Sequence, residues 1–146
     1  MKKLMTLLTI LSIQFPIFSQ TVKPNISFLN EGDYSGIEGC SYSMDDWKGN
    51  TFIVATYPFS DDQDNHYLYI KIDGKIWKLS YKVIEGGKDE TTLQVFPLNQ
   101  PFHITMSTPK WKKIGAEFSI GKSRLEVHDT RNITTTKLWV RAMYGC

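Results

Sequence analysis

The chain has 146 residues, of which 41% are hydrophobic and 13% aromatic, and its formal net charge is +2. This length suits one domain with a core of ordinary size, and the aromatic content is more typical of β structure than of helical bundles. The small net charge excludes the strongly basic composition of many nucleic-acid-binding proteins, so we predict no nucleic-acid partner.

The N-terminus has the composition of a secretory signal peptide. Lys2 and Lys3 form a positive n-region, residues 4–18 are mostly apolar, and Ser19 is small enough for a cleavage site. The segment is shorter and more interrupted than the ~20 apolar residues that span a membrane, and a buried N-terminal helix is the alternative. We predict an exported protein, periplasmic or secreted, with no transmembrane segment in its mature chain. The predicted division is a signal peptide at 1–19 and a single β domain at 20–146.

Export changes the charge of the chain. Lys2 and Lys3 account for the whole positive excess, so the mature protein is formally neutral, with 15 acidic residues and as many basic ones. Their distribution is uneven, because eight acidic residues and only two basic ones lie between Gln20 and Ile70. This asymmetry predicts a polarised surface if the two halves occupy different parts of the sheet, and none if their strands intermix.

The chain holds two cysteines, Cys40 and Cys146. An even number of cysteines in an exported protein is typical of a disulfide framework, and we predict that these two are bonded. The bond would place an early strand beside the C-terminus. Two free thiols or a catalytic cysteine are the alternatives, although neither residue has the sequence context of a nucleophile.

Strand-like segments with turn signals between them follow one another along the chain. The most regular is a hairpin whose two arms alternate apolar and polar residues around Asp73-Gly74, a pair typical of a type I′ turn. A second hairpin is predicted around Gly121-Lys122. After a lead-in with one short strand at 26–29, nine main strands are predicted, in order 37–44, 51–57, 67–72, 75–84, 91–96, 102–107, 111–120, 123–128 and 133–144.

This regular spacing, without helical periodicity, predicts an all-β fold. We expect a single-domain antiparallel barrel or sandwich of about eight or nine strands, stapled by the disulfide.

Acidic side chains are densest between the strands predicted at 51–57 and 67–72. Asp61, Asp62 and Asp64 offer the carboxylate oxygens that Ca²⁺ prefers. The EF-hand glycine is missing, however, because Tyr67 stands at the sixth position if Asp62 is the first. A solvated loop is the ordinary interpretation and a Ca²⁺ site the alternative. We predict no metal and no cofactor, and keep the loop as a candidate binding surface.

No catalytic constellation is recognisable. The chain lacks a G-x-S-x-G elbow and a phosphate-binding glycine loop. Glu117 and Glu126 are a candidate carboxylate pair for a small hydrolase. The histidines, His66, His103 and His128, match no zinc spacing. We assign no catalytic residue, and an enzyme is the less favoured class.

Aromatic and basic residues alternate in Lys110-Trp111-Lys112. This pattern is typical of a platform that stacks on and attracts nucleic acid or an anionic glycan. The alternative is a turn with one tryptophan anchored beneath it. Export and the neutral mature charge argue against nucleic acid.

A small-ligand carrier is the second class of binder that the sequence allows. Trp77, Tyr81 and Trp139 would line a pocket if the fold is a barrel with a partly empty interior. A filled interior with an exposed aromatic patch would favour recognition of a protein or glycan. We predict an exported binding protein of the latter kind, which recognises a protein or glycan through loops such as 45–50, 60–65 or 110–113.

Two resemblances accompany this prediction. Gly39-Cys40-Ser41, followed by Ile70-Lys71-Ile72-Asp73-Gly74-Lys75, resembles a loose group of small exported proteins of Gram-negative bacteria with a glycine-cysteine strand and an IDGK hairpin. The expected architecture is also similar to that of the periplasmic C-type lysozyme inhibitors, small barrels with a disulfide joining an early strand to the C-terminal region. That family inhibits through a serine-glycine-x-x-tyrosine loop, which this sequence lacks; residues 115–119 are a poor substitute for it.

Overall fold

The computed structural model of the protein describes residues 22–60, 65–86, 91–95 and 100–146. The predicted signal peptide at 1–19 and the acidic residues Asp61, Asp62 and Asp64 lie outside these ranges. The described chain forms eleven strands and one short 3₁₀ turn at Glu31–Asp33. The strands are β1 (Ile26–Ser27), β2 (Ser41–Asp45), β3 (Thr51–Thr56), β4 (Tyr67–Ile72), β5 (Lys75–Ser80), β6 (Lys82–Gly86), β7 (Thr91–Val95), β8 (Phe102–Thr108), β9 (Lys112–Ile114), β10 (Phe118–Asp129) and β11 (Thr134–Gly145).

All eleven strands belong to one antiparallel sheet in the order β1-β4-β3-β2-β11-β10-β8-β7-β6, with β5 paired to β4 and β9 paired to β10. The prediction of an all-β antiparallel fold is therefore confirmed. Among the described strands, no hydrogen-bonded ladder closes the sheet into a barrel. Two edge strands of the described sheet, β5 and β6, are instead consecutive in the chain, with Tyr81 between them.

The core lies against one face of this sheet and is filled by side chains. Strands with alternating burial, such as β8 and β10, direct every second residue into it. The largest fully buried side chains come from seven strands: Tyr42, Met44, Ile53, Leu68, Ile70, Leu93, Val95, Ile104, Met106, Leu125, Val127 and Val140. Burial raises the pKa of the Tyr42 phenol above its usual range, although side-chain hydrogen bonds with Thr108 and Ser123 oppose the shift.

The N-terminal segment covers the opposite face of the sheet where it crosses β3 and β4. Leu29 packs there with Val54 and Tyr69 in a second, smaller apolar cluster. The Tyr69 hydroxyl donates a hydrogen bond to the Ser35 carbonyl at 3.0 Å, and the Tyr67 hydroxyl donates one to the carbonyl of residue 36 at 2.7 Å. These contacts fasten the segment to the sheet.

The two predicted hairpins have different outcomes. The β4–β5 turn is confirmed, with Asp73 and Gly74 both at positive φ, 51° and 77°. The hairpin predicted at Gly121 is wrong, because β10 continues through this residue and the preceding turn lies at Gly115, φ 69°. Glycine at 121 serves close packing instead: a Cβ there would lie 2.7 Å from the carbonyl oxygen of Lys110.

The predicted disulfide is confirmed and lies beside the ladder that joins β2 to β11. Cys40 and Cys146 are bonded across a sequence separation of 106 residues. At the other end of the ladder Asp45 is paired with Arg141, and the Arg141 Nε–H donates to Asp45 Oδ1 at 2.9 Å. The early strand and the C-terminus are therefore neighbours, as the cysteines predict.

Reduction of the disulfide should lower the free energy of unfolding by up to about 4–5 kcal/mol, because the bond closes a long loop in the unfolded chain. Urea denaturation with and without reductant measures the change. The double variant Cys40→Ser, Cys146→Ser is the control and should not respond to reductant. Equal midpoints for the oxidised and reduced protein would contradict the expectation.

Asp129 should make stability depend on pH in the acid range. Hydrogen bonds from the Arg131 side chain hold the pKa of Asp129 at about 2, below the ordinary value near 4. As the pH falls, Asp129 is therefore protonated at a higher pH in the unfolded chain than in the folded protein. Its contribution to stability is complete above about pH 4 and is lost towards pH 2. Urea midpoints measured from pH 2 to 6 test this. The gap between the protein and its Asp129→Asn variant should shrink on acidification, and a constant gap would contradict the assignment.

Candidate functional site

Trp47 is displayed at the tip of the turn between β2 and β3. Its φ of 69° is unusual for a bulky residue and requires support from its surroundings. Asp45 supplies that support, because its Oδ1 accepts the Trp47 N–H at 2.9 Å. Asp46 closes the same turn by accepting the N–H groups of Lys48 and Asn50 at 2.9 and 3.0 Å. The Trp47 side chain is nevertheless 52% exposed.

A second exposed tryptophan lies on the outer face of β10 and β11. Trp139 is 60% exposed, since the inward positions beside it belong to Val140 and Ala142. The Lys122 Nζ lies 4.7 Å from the centre of the Trp139 ring, a cation–π distance. Lys122 is also the cross-strand partner of Arg141.

Arg141 connects the two exposed rings. Its Cζ lies 5.9 Å from the centre of the Trp47 ring. Arg141 is two residues from Trp139 on the same face of β11, and Lys122, its cross-strand partner, is the residue whose Nζ lies over the Trp139 ring. The lysines beside Trp111 complete the surface. We call these residues the basic–aromatic face: Trp47, Lys110, Lys112, Lys122 and Trp139.

Trp111 is the anchor of this face rather than part of its surface. Its side chain is only 6% exposed, and its Nε1–H donates to Thr91 Oγ1 at 2.9 Å. The ring makes edge contacts with Tyr42 and Tyr144 at 6.2 and 4.5 Å between centroids. Of the residues predicted at 110–112 as a binding platform, the two lysines are exposed, whereas the tryptophan is anchored beneath the turn. Trp47, which lines a depression together with these lysines, comes from the loop 45–50 that the sequence also offers for binding. Trp139 comes from a strand, and its sequence prediction is a place in a pocket rather than on this surface.

Two shallow depressions lie along the basic–aromatic face. One, of about 510 Å³, is lined by the exposed lysines together with Trp47 and the backbone of Gly121. The other, of about 270 Å³, lies where Trp139 and Arg124 meet Thr92 and Ser107. Since Lys122 and Arg124 are outward neighbours on β10, the depressions flank one continuous strip.

The charge of the face is positive and poorly compensated. Arg141 is paired with Asp45, and Arg124 with Glu126 at 3.1 Å. In the described ranges, by contrast, no carboxylate lies within ion-pair distance of the three lysines, Lys110, Lys112 and Lys122. The strand order contributes to this imbalance, because β1 to β4 and β6 to β11 form separate blocks that do not intermix.

The other predicted ligand-lining residues do not meet. Trp77 and Tyr81 belong to the core side, whereas Trp139 is on the outer face. The Tyr81 hydroxyl donates to the Thr56 carbonyl at 2.7 Å, and burial raises the pKa of Tyr81 to about 12. Its ring also stacks on His66 at 5.1 Å. Tyr81 is thus a packed structural residue.

The candidate carboxylate pair does not come together, whereas two of the histidines do. Glu117 and Glu126 are separated by nine positions along extended chain, about 30 Å, which is too far for a carboxylate pair. His103 and His128 are cross-strand neighbours with ring centres 6.4 Å apart. Within the residues that the structure covers, no group of three or more histidine, cysteine, aspartate or glutamate side chains could hold a metal ion. The same residues include no helix with the length and apolar character needed to cross a membrane.

Comparison with known protein families, with curated proteins and with solved structures finds no match to this chain. The two resemblances drawn from the sequence therefore stay predictions. The function of the basic–aromatic face is therefore inferred from its geometry and charge.

Replacing Gly121 with alanine should displace the segment of Lys110 and Trp111, which packs against this glycine. The added Cβ would lie 2.4 Å from Thr108 Cγ2 and 2.7 Å from the Lys110 carbonyl oxygen, so the Trp111 segment must move. We expect a loss of about 1–3 kcal/mol of stability, measured by urea denaturation. Gly32→Ala is the matched control, because nothing lies within 4 Å of a Cβ at that position. Equal midpoints for the two variants would refute the packing role.

Proposed function

We propose that the protein is an exported binding protein that recognises an anionic glycan through the basic–aromatic face. The observation that carries the proposal is the combination of two half-exposed tryptophan rings, Trp47 and Trp139, with three lysines that have no carboxylate partner among the described residues. The disulfide supports export, since such bonds are typical of oxidising compartments.

Uncompensated lysines favour a negatively charged partner. Lys110, Lys112 and Lys122 surround one depression, so their charges act on the same region of solvent. Exposed charges attract an anionic chain over about a Debye length, near 8–10 Å at physiological ionic strength. The attraction should therefore weaken as salt is added.

The tryptophans supply apolar contact area in a fixed position. Trp139 and Trp47 present broad apolar ring surfaces to solvent, and tryptophan is enriched at binding surfaces because it joins a large apolar body to a polar N–H. Trp47 is held in place by its own turn, so little conformational freedom is lost when a ligand packs against it. The apolar face of a sugar ring is a suitable partner for such a surface.

A glycan fits these residues better than the other macromolecules considered. Lysine is depleted in protein–protein interfaces, whereas here it is the dominant charged residue. A nucleic acid is disfavoured by the neutral charge of the mature chain. A ligand carried inside the fold is disfavoured because the core positions are occupied by fully buried side chains.

Binding to immobilised heparin, compared with neutral dextran, tests the proposal. The protein should be retained by heparin and released by salt. Trp139→Ala should weaken the affinity about tenfold or more through lost stacking, and Lys122→Gln about threefold through lost charge. Lys78→Gln is the matched control, because this lysine lies over the Tyr67 ring at 4.0 Å on a different part of the sheet.

Two outcomes would overturn the assignment. Retention by heparin that is unchanged in both face variants would place the glycan elsewhere on the molecule. Failure to bind heparin, together with salt-sensitive binding of an acidic protein that Trp139→Ala weakens, would replace the glycan with a protein partner.

A further inference from the structure

A separate cavity of about 310 Å³ lies at one end of the core, where β3 ends and β10 begins. Tyr57 directly follows β3, Ser119 is the second residue of β10, and Tyr144 is the last but one of β11. Trp111 forms a further wall, and its ring meets that of Tyr144 at 82°. The volume is within the range of small-molecule sites, so four segments of the chain converge on a space that a small ligand can occupy.

Small residues on the core side of β10 make room for this cavity. Ser119, Gly121 and Ser123 occupy successive buried positions there. Gly121 allows the Trp111 ring to approach, since a Cβ at this position would lie 3.3 Å from the ring carbon Cε3. Ser123 Oγ donates a hydrogen bond to the Ser107 carbonyl at 2.9 Å. Packing and hydrogen bonding thus account for two of the three small residues, and Ser119 requires a different explanation.

The Ser119 hydroxyl faces the cavity without a partner. Ser119 is only 8% exposed, and its Oγ has no hydrogen-bond partner among the described residues. Within the same residues, only Trp77 Nε1 is both unpaired and fully inaccessible, so the Ser119 Oγ retains accessible surface. That surface opens into the cavity that Ser119 lines. A hydroxyl group can both donate and accept, so it suits a ligand that does the same.

The aromatic walls carry two further hydroxyl groups. The rings of Tyr57 and Tyr144 lie 5.8 Å apart between centroids, and neither phenol has a hydrogen-bond partner in the described ranges. By contrast, the hydroxyls of Tyr69 and Tyr81 donate to backbone carbonyls. Burial raises the pKa of the Tyr57 phenol, and the Tyr144 phenol adds to the rise. The Tyr57 phenol therefore keeps its proton at neutral pH and remains a donor.

Charges at the rim favour a neutral ligand. Lys113 and Glu117 both line the cavity with exposed side chains, and neither forms an ion pair within the part of the chain that the structure describes. A charged ligand would be attracted by one of them and repelled by the other. A purely apolar ligand would bury the Ser119 hydroxyl without a hydrogen bond, which costs free energy. The lining therefore selects a neutral molecule with apolar faces and several hydroxyl groups.

We propose that this cavity binds a single neutral pyranose sugar. The C–H face of the sugar packs against the rings of Tyr57 and Tyr144, and its hydroxyl groups exchange hydrogen bonds with Ser119. Trp111 also lines the depression on the basic–aromatic face. The inference nevertheless does not depend on the glycan proposal, because it rests on other side chains and on a ligand without charge.

Titration followed by NMR of the tyrosine ring protons tests the contact. The probes are the methyl glycosides of glucose, galactose, mannose and N-acetylglucosamine. At least one of them should move the signals of Tyr57 and Tyr144 saturably, while those of Tyr67 and Tyr69, on the opposite face of the sheet, stay in place. No response to any of the four would overturn the proposal. A response to tetramethylammonium but to no glycoside would replace the sugar with an organic cation held by the rings.

Substitution of Ser119 tests the hydrogen bond. Ser119→Ala should weaken binding of the responding glycoside about fivefold, because the variant loses one hydrogen bond to the ligand. Ser43→Ala is the matched control and should bind as the unaltered protein does, because Ser43 alternates with the buried Tyr42 and Met44 on β2 and faces away from the core. Urea midpoints verify the folding of both variants. Equal affinities of Ser119→Ala and the unaltered protein would contradict the proposed site.

Discussion

The pairing of β2 with β11 is the constraint on which the described fold depends. It is the one hydrogen-bonded ladder, among the described strands, that joins the block of β1 to β5 to the block of β6 to β11. The Cys40–Cys146 bond secures one end of this ladder, and the ion pair of Asp45 with Arg141 secures the other. The only other covalent passage between the blocks is Tyr81, where β5 continues into β6. A single ladder and a single connection therefore decide how the two blocks enclose the core.

The same ladder also organises the candidate binding face. Asp45 Oδ1 accepts hydrogen bonds from both the Arg141 Nε–H and the Trp47 N–H, each at 2.9 Å, so one carboxylate orients the ion pair and the exposed tryptophan together. Arg141 in turn stands beside Lys122 in the register of β10 and β11. Asp45 of the first block neutralises Arg141 of the second, whereas Lys110, Lys112 and Lys122 have no carboxylate partner among the described residues. The positive charge of the face therefore comes from these three lysines.

The four tryptophans show how one residue type takes different roles in one sheet. Trp111 is buried with its N–H satisfied, and it supports the face that Trp47 and Trp139 present to solvent. Trp77 lies on β5, packs its ring edge against Phe102 at 5.1 Å between centroids, and has a buried Nε1 with no hydrogen-bond partner among the described residues.

The sequence by itself determined the local features of this protein. Alternating burial follows from period-two patterns, the β4–β5 turn follows from Asp73-Gly74, and the cysteine pair follows from its even count. Tertiary structure decided the rest, because period two separates the faces of a strand without showing which face a neighbour covers. Gly121 therefore resembles a turn signal although packing requires it, and Trp139 resembles a pocket residue although it is 60% exposed on the outer face. The basic–aromatic face joins residues from three distant segments, and only the strand order and register bring them together.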